Sequence, residues 1–206
     1  MNESASRAEY DWNELQDLAS QTGFWSITPL QDDGESLRCF TVHIAGRCIE
    51  SGGPAASRVA FAENVDLEIE LPPGYPEQPP QCSVTTRVFH PNIPADGIVD
   101  LRELGIEWHP QVSLDVVLER IWDALRGAIV DLEHPLNIGA GQWYAIQTAA
   151  TLPVDSRPLV KDTTGNTNIV RYRRRGEPPR ELPPTERLLI DGSGPEAGAS
   201  SIHIIE

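Results

Sequence analysis

Three cysteines, Cys39, Cys48 and Cys82, are the side chains of this sequence best suited to covalent chemistry. A thiolate attacks carbonyl groups and binds metal ions, whereas the protonated thiol does neither well. The three lie singly, without a CxxC pair or other metal-binding spacing, so we expect reduced thiols and no metal site. All three fall on or beside predicted strands, where a buried thiol has a raised pKa and is usually inert.

A proline-rich segment is the most distinctive stretch of the sequence. It reads Tyr-Pro-Glu-Gln-Pro-Pro at 75–80, and a His-Pro-Asn triplet follows at 90–92. Proline-rich turns stiffen a chain, and a His-Pro-Asn turn can be purely architectural, with its imidazole bonded to backbone groups. A Trp-His-Pro segment at 108–110 comes just before the strongest helix pattern. These motifs therefore allow a structural as well as a functional interpretation.

The apolar pattern predicts the elements that must position these motifs. Residues 6–20 carry apolar side chains at helical spacing, and Ser6 with Glu9 makes a capping box. A long helix is predicted at 113–132, with Ser113 as its N-cap, and a last helical piece at 140–151. Alternating apolar and polar residues predict four strands that form a meander. These strands cover 24–30, 37–45, 65–71 and 81–88.

Composition divides the chain into a folded domain at 1–154 and a Pro/Gly-rich, mostly irregular tail at 155–206. Residues 1–154 contain 8 Arg and no Lys against 23 Asp and Glu, which gives a net charge of −15. A surface this acidic repels phosphate backbones, so we expect no nucleic-acid binding there.

The tail is neutral overall but holds a compact cluster of four arginines. These are Arg171, Arg173, Arg174 and Arg175. The cluster either folds back on the acidic domain, docks an acidic partner, or stays solvated.

No stretch of the sequence approaches the roughly 18 consecutive apolar residues that a membrane-spanning helix needs. No basic N-terminal segment is followed by the apolar run of a secretion signal. The apolar fraction of 39% and the five Trp residues indicate a packed globule. We therefore expect a cytoplasmic protein that does not interact with membranes.

The motifs and their order resemble those of the ubiquitin-conjugating enzyme family. In that family a helix and a four-stranded meander precede a Tyr-Pro-x-x-Pro-Pro turn, a His-Pro-Asn triplet and an active-site loop. Residues 75–80 and 90–92 match the two motifs, and 108–110 is similar to the family's Trp-Ser-Pro segment. The resemblance covers about residues 8–150 and implies an α+β fold with an N-terminal helix, the meander sheet, the active-site loop, a long central helix and a C-terminal helix. An unrelated small α+β domain is the alternative.

The resemblance also implies that the family's catalytic cysteine is replaced. In the family it lies ten residues after the His of the triplet, a position that Asp100 occupies here. The flanking residues, Gly97-Ile98-Val99 and Leu101, fit the family pattern without a gap. A carboxylate is a poor nucleophile, and the mixed anhydride that it could form would hydrolyse readily. We therefore expect no catalytic residue in this degenerate site.

The triplet itself remains intact. His90 and Pro91 are largely structural in the family, whereas the residue equivalent to Asn92 is associated with the oxyanion that forms when lysine attacks the thioester. Here Asn92 either braces the active-site loop as a structural remnant or serves a reaction without a thioester. Asp100 either marks a lost function or is a carboxylate kept to attract an arginine on a partner.

The resemblance implies candidate binding surfaces around the two motifs and in the tail. The candidate residues are Tyr75, Pro76, Glu77, Pro79, Pro80, Trp108 and Pro110, together with the four tail arginines. Two features depart from the family. Glu77 replaces a commonly apolar residue of the ligase-binding loop, and the first helix, which tends to be basic in active members, carries four acidic residues against Arg7.

These observations predict a non-catalytic protein similar to ubiquitin-conjugating enzymes. It would bind a ubiquitin-like modifier, or an active conjugating or activating enzyme, and it would need no cofactor. One alternative is an active conjugating enzyme that uses a non-standard nucleophile, with a cysteine supplied by rearrangement of the chain or by a partner. Another alternative is a scaffold unrelated to modifiers.

Overall fold

The computed structural model describes residues 3–30, 38–50, 60–147 and 151–160. The helices in these ranges are α1 (Glu3–Thr22), α2 (Leu114–Leu125) and α3 (Ile138–Ala145). The strands are β1 (Trp25–Pro29), β2 (Cys39–Ile44), β3 (Cys48–Glu50), β4 (Ala60–Ala62), β5 (Val65–Glu70), β6 (Gln81–Val84) and β7 (Ile98–Val99). The predicted α+β class and order of elements are confirmed. No helix in the described ranges is long and apolar enough to cross a bilayer.

Five strands form one antiparallel sheet in the order β1-β2-β5-β6-β7. Its first four strands are those of the predicted meander, which is therefore confirmed. The sequence pattern did not predict β7 or the hairpin of β3 and β4 that is inserted between β2 and β5. Strands of two or three residues are too short for alternation to reveal them.

Alternation along the central strands places apolar side chains in the core. In β5, Val65, Leu67 and Ile69 are at most 2% exposed, whereas Glu68 and Glu70 face solvent. The apolar stripe of α2 joins the same core cluster. Its buried members are Leu114, Val117, Leu118, Ile121, Trp122, Ala124 and Leu125. Each large apolar side chain buried in this way contributes about 1.5–3 kcal/mol, so the contact of α2 with the sheet is a main source of stability.

The central helix is shorter than predicted. It ends at Leu125 instead of at residue 132, because Gly127 adopts a φ of 77° and stops the helix. Ser113 is the N-cap residue as predicted, but its side chain makes no capping hydrogen bond. The segment after Gly127 is thereby freed from helical geometry and runs on as a loop to α3.

The bounds of the other two helices also differ from the prediction. Helix α1 begins at Glu3, so Ser6 lies inside the helix and is not its N-cap. Helix α3 covers 138–145 instead of 140–151. Its start is fixed by the side chain of Asn137, which accepts a hydrogen bond from the N–H of Ala140 at 3.1 Å.

Residues 152–160, here called the strap, pack against the domain without regular secondary structure. The indole N–H of Trp25 donates to the carbonyl of Leu159 at 3.0 Å, and that of Trp122 donates to the carbonyl of Arg157 at 2.7 Å. The Leu159 side chain is fully buried. Composition alone places residues 155–160 in the tail. In the structure these residues pack with the domain instead. The division at residue 154 itself stays a prediction.

Hydrogen bonds of charged side chains also hold the strap against the domain. The Asp155 carboxylate accepts hydrogen bonds from the Arg157 guanidinium, at 2.6 Å for the shortest, and from the backbone N–H of Arg47 at 3.1 Å. The buried Arg126 guanidinium donates to the Asp155 carbonyl at 3.1 Å. Burial by itself raises the pKa of Asp155, but the hydrogen bonds from Arg157 and Arg47 outweigh it and lower the pKa to about 2.

We expect the strap to add an acid-sensitive contribution to stability. Because the pKa of Asp155 is about 2 in the folded chain and near its ordinary value of 3.8 after unfolding, the contribution is present above pH 3.8 and is lost as the pH falls towards 2. Between pH 5 and pH 2 the free energy of unfolding of the wild type should fall by about 2 kcal/mol more than that of Asp155→Asn. Urea unfolding followed by tryptophan fluorescence measures this difference, and parallel pH profiles would contradict it.

Candidate functional site

The proline-rich turn is anchored to α1 through a buried carboxylate. The hydroxyl of Tyr75, which is 0% exposed, donates a hydrogen bond to Asp11, which is 1% exposed. The Arg7 guanidinium pairs with the same Asp11 oxygen at 2.8 Å. Burial and the neighbouring Asp11 both raise the pKa of Tyr75, so its hydroxyl remains a donor. An uncompensated carboxylate would be costly here, and Arg7 supplies the compensating charge.

The same turn contacts the Trp-His-Pro segment. The indole N–H of Trp108 donates to the carbonyl of Pro76 at 2.9 Å, and its ring centroid lies 5.9 Å from that of Tyr75. Arg7 reaches across to the carbonyl of Pro110 at 3.3 Å. Two motifs that are about 30 residues apart in the sequence therefore form one surface, held against the start of α1.

The candidate binding residues differ in what they can offer to a partner. Tyr75 and Pro80 are buried, so they shape the turn but present no surface, which corrects their assignment as contact residues. Glu77 and Pro79 are exposed. Three others are partly exposed, and these are Pro76, Trp108 and Pro110. The four tail arginines lie outside the described residues.

His90 of the triplet is a neutral, buried side chain. Its Nδ1 accepts the backbone N–H of Asn92 at 3.1 Å, which leaves Nε2 to donate to the carbonyl of Ile129 at 3.2 Å. Burial lowers the pKa of His90 to about 4, against a smaller opposing effect of the Ile129 carbonyl. Both ring nitrogens are occupied, and so His90 is architectural, as the resemblance implies.

Asn92 uses both ends of its amide on one residue. Its Nδ2 donates to the carbonyl of Asp131 at 2.9 Å, and its Oδ1 accepts the backbone N–H of Asp131 at 2.8 Å. The carbonyl of Pro91 accepts the N–H of Asn137 at 3.0 Å, at the start of α3. The triplet thus joins the chain after β6 to the loop between α2 and α3. This arrangement is that of a brace for the loop.

Asp100 lies directly after β7, and its carboxylate binds a neighbouring residue. Its Oδ1 accepts the backbone N–H of Arg102 at 2.9 Å, and its Oδ2 pairs with the Arg102 guanidinium at 3.2 Å. The hydrogen bond from the Arg102 side chain is the main cause that lowers the pKa of Asp100 below its ordinary value. The carboxylate is therefore ionised at neutral pH and partly exposed, with 44% of its side chain accessible.

The three thiols lie on strands, as predicted, and burial raises the pKa of each. The pKa of Cys48 and that of Cys82 are raised to about 12. Cys39 is half-buried, and its pKa is raised by burial and by the charge of Glu70. Few of these thiols would be thiolates at neutral pH. Within the described ranges no cluster of three or more His, Cys, Asp or Glu side chains could hold a metal ion.

Sequence reasoning missed the partners of the motif residues. Asp11 occupies an apolar position of α1, between Ala8 and Trp12, and an acidic residue within an apolar stripe was the available signal of a buried contact. The spacing of Asp100 and Arg102 was likewise visible. No sequence signal pointed to Asp131, because the contact with Asn92 uses its backbone and spans 39 residues.

Comparison with known proteins gives two results. Residues 54–150 match the family model described as ubiquitin-conjugating enzyme. This span is a little under half of the chain and includes both motifs and Asp100. The structure of the human ubiquitin-conjugating enzyme E2 G1 is similar, with a TM-score of 0.44 and 18% sequence identity over 61% of this chain and 96% of that one.

A substitution at Asn92 tests whether the residue is a brace. In Asn92→Asp the buried side chain loses its donor and places a carboxylate against the Asp131 carbonyl, so we expect a loss of about 2–4 kcal/mol in the free energy of unfolding. Chemical unfolding measures it. The control Asn64→Asp makes the same change at an exposed position and should lie within about 0.5 kcal/mol of wild type. Equal stability of all three proteins would contradict the bracing role.

A second substitution tests the turn that leads to Asp100. Gly97 has a φ of 79°, and a Cβ there would lie 2.1 Å from the Val84 carbonyl oxygen. Gly97→Ala should therefore cost about 1–3 kcal/mol of stability. Gly139→Ala, in α3 and with only ordinary contacts around the added atom, should be neutral or slightly stabilising. Thermal unfolding of the two variants measures the contrast, and similar melting temperatures would refute the explanation.

Proposed function

We propose that this chain is a non-catalytic protein of the ubiquitin-conjugating type. It binds a ubiquitin-like modifier, or an active conjugating or activating enzyme, and positions its partner without carrying the modifier itself. The family match over residues 54–150 supports a place in a ubiquitin-like conjugation pathway. The chemistry of the degenerate site supports the non-catalytic part of the proposal.

The observation that carries the proposal is the state of Asp100. An acyl carrier must form a bond to the modifier's terminal carbonyl and later release it to an amine, which a thiolate does well. Asp100 is a carboxylate whose oxygens are bonded to the backbone and side chain of Arg102. Its attack would give a mixed anhydride that water cleaves. Asn92 also supports this interpretation, because its amide is committed to Asp131.

The alternative of a displaced nucleophile has little chemical support in the described residues. Cys48 and Cys82 are at most 4% exposed. Burial raises the pKa of both thiols, so both are protonated at neutral pH. Cys39 is more accessible but also has a raised pKa. None of the three lies in the loop that carries Asp100.

The exposed residues around the proline-rich turn suggest how such a partner would be recognised. Glu77 and Pro79 project from the turn, and Trp108 offers part of an aromatic ring beside them. On α1, Glu9 and Asp17 are exposed, while Arg7 is committed to Asp11. A partner for this surface would combine basic groups with an apolar contact, because charge complementarity guides association.

Restoring the thiol tests the proposal most directly. A charging assay with activating enzyme, modifier and ATP, run with a panel of ubiquitin-like modifiers, should give no thiol-labile adduct on the wild type. Asp100→Cys should form one with the cognate modifier, because Gly97 and the short β7 already place this position in the loop. The adduct is detected on a non-reducing gel and disappears on reduction.

The controls separate the alternatives. The variant Cys39→Ser/Cys48→Ser/Cys82→Ser combined with Asp100→Cys should charge as well as Asp100→Cys alone. A labile adduct on the wild type would show that the chain is an active enzyme with another nucleophile. Failure of Asp100→Cys with every modifier, in a variant as stable as wild type, would favour the scaffold alternative.

A further inference from the structure

A groove runs along the outward side of α2 and ends at the strap. It encloses about 420 Å³, and its apolar lining includes Ile106, Val112, Val116 and Val160. Val116 is 51% exposed, although it lies on a helix whose opposite side is the core of the domain. This groove, called the α2 groove below, borders the Trp-His-Pro segment, because Glu107 and Val112 flank residues 108–110, and its lining does not include the proline-rich turn or Asp100.

The walls of the α2 groove are mostly acidic. Glu107, Asp115, Glu119 and Asp123 line it, against the single cation Arg120 among its lining residues. Asp123 is paired with Arg126, outside the groove. One carboxylate oxygen of Asp115 is buried without a hydrogen-bond partner in the described part of the chain. The groove thus combines an apolar floor with carboxylates whose charge is not balanced locally.

The chain itself leads into this groove. The backbone N–H of Val160, the last described residue of the strap, donates to the Glu119 carboxylate at 2.8 Å. Val160 also lines the groove. The described part of the chain therefore ends at the lining of this groove.

A segment of fitting chemistry follows a short distance along the chain. Residues 168–175 read Asn-Ile-Val-Arg-Tyr-Arg-Arg-Arg, so three large apolar or aromatic side chains are accompanied by four arginines. The seven residues from 161 to 167 span up to about 23 Å when extended, whereas the 12 residues of α2 are about 18 Å long. The connection is long enough for the segment to turn back along the helix.

We propose that residues 168–175 dock in the α2 groove of the same chain, with their apolar side chains on the floor and their arginines against Glu107, Asp115 and Glu119. Arginine suits this role because its planar guanidinium binds carboxylates in a bidentate manner. The proposal commits the basic cluster to the chain's own domain, and it does not depend on the proposed function.

The full-length protein tests the docking by NMR. The variant Arg171→Gln/Arg173→Gln/Arg174→Gln/Arg175→Gln should shift the backbone amide resonances of groove residues such as Ile106, Val116 and Val160. The matched control Arg180→Gln/Arg187→Gln changes two tail arginines outside the segment and should leave those resonances in place. Shifts confined to residues near the substitutions would overturn the proposal, as would equal shifts from both variants.

A second measurement approaches the contact from the groove side. At an effective concentration of about 1 mM, a segment that binds with a Kd of about 0.1 mM is docked about 90% of the time, so its release should speed trypsin cleavage about tenfold. Glu107→Gln/Val116→Asn should give this increase at Arg171–Arg175, whereas Glu68→Gln/Ile98→Asn, which makes comparable changes at exposed positions elsewhere on the surface, should not. Unchanged cleavage in the groove variant would overturn the proposal. Protection that disappears on dilution would assign the segment to a second copy and would also overturn it.

Discussion

The structure depends on the hydrogen bonds that join the 90–92 triplet to the chain after α2. Asn92 binds both backbone groups of Asp131, His90 binds the carbonyl of Ile129, and Pro91 accepts the N–H that begins the turn into α3. These contacts span about 40 residues, so they fix the path of the loop after Gly127 and the position of α3. Because the groups are buried, losing either partner would leave polar atoms without water or protein to bind.

This constraint explains how the triplet can serve a structural role alone. The hydrogen bonds of the triplet stabilise the fold and do not require a nucleophile nearby. The described contacts of the Asp100 carboxylate are with a local neighbour, Arg102. An architectural motif and an exposed, ionised carboxylate can therefore stand within ten residues of each other. The presence of a catalytic family's motif is thus a weak guide to catalysis when the motif residues also carry the fold.

The charged side chains differ in their surroundings: some form ion pairs within the fold, and others face solvent. Arg7, Arg126 and Arg157 each pair with a carboxylate that is buried or half-buried, and these pairs help to position α1, the end of α2 and the strap. Exposed pairs such as Arg47 with Glu63 contribute little to stability. Since residues 1–154 hold 23 Asp and Glu against 8 Arg, most of these carboxylates cannot pair with an arginine of the domain, and their negative charge influences which partners can approach.

The sequence predicted the class, the meander and the existence of all three helices, and its apolar periodicity was clearest in α1, β5 and α2. It could not predict β7, the hairpin of β3 and β4, or the end of α2, since these depend on a few residues and on the backbone conformation of Gly127. At the candidate site it identified the motifs but not the partners Asp11 and Asp131. Such contacts arise between distant segments, and only the packed fold brings them together.

The strap gives the segment after residue 160 a mechanical connection to the hydrophobic core. The indoles of Trp25 and Trp122 each donate a hydrogen bond to a strap carbonyl, and the Leu159 side chain is buried in the hydrophobic core. A force applied to the chain beyond Val160 would thus act on the hydrogen bonds of two core tryptophans, one from the sheet and one from the central helix. The fluorescence of the two indoles should therefore change when such a force displaces the strap.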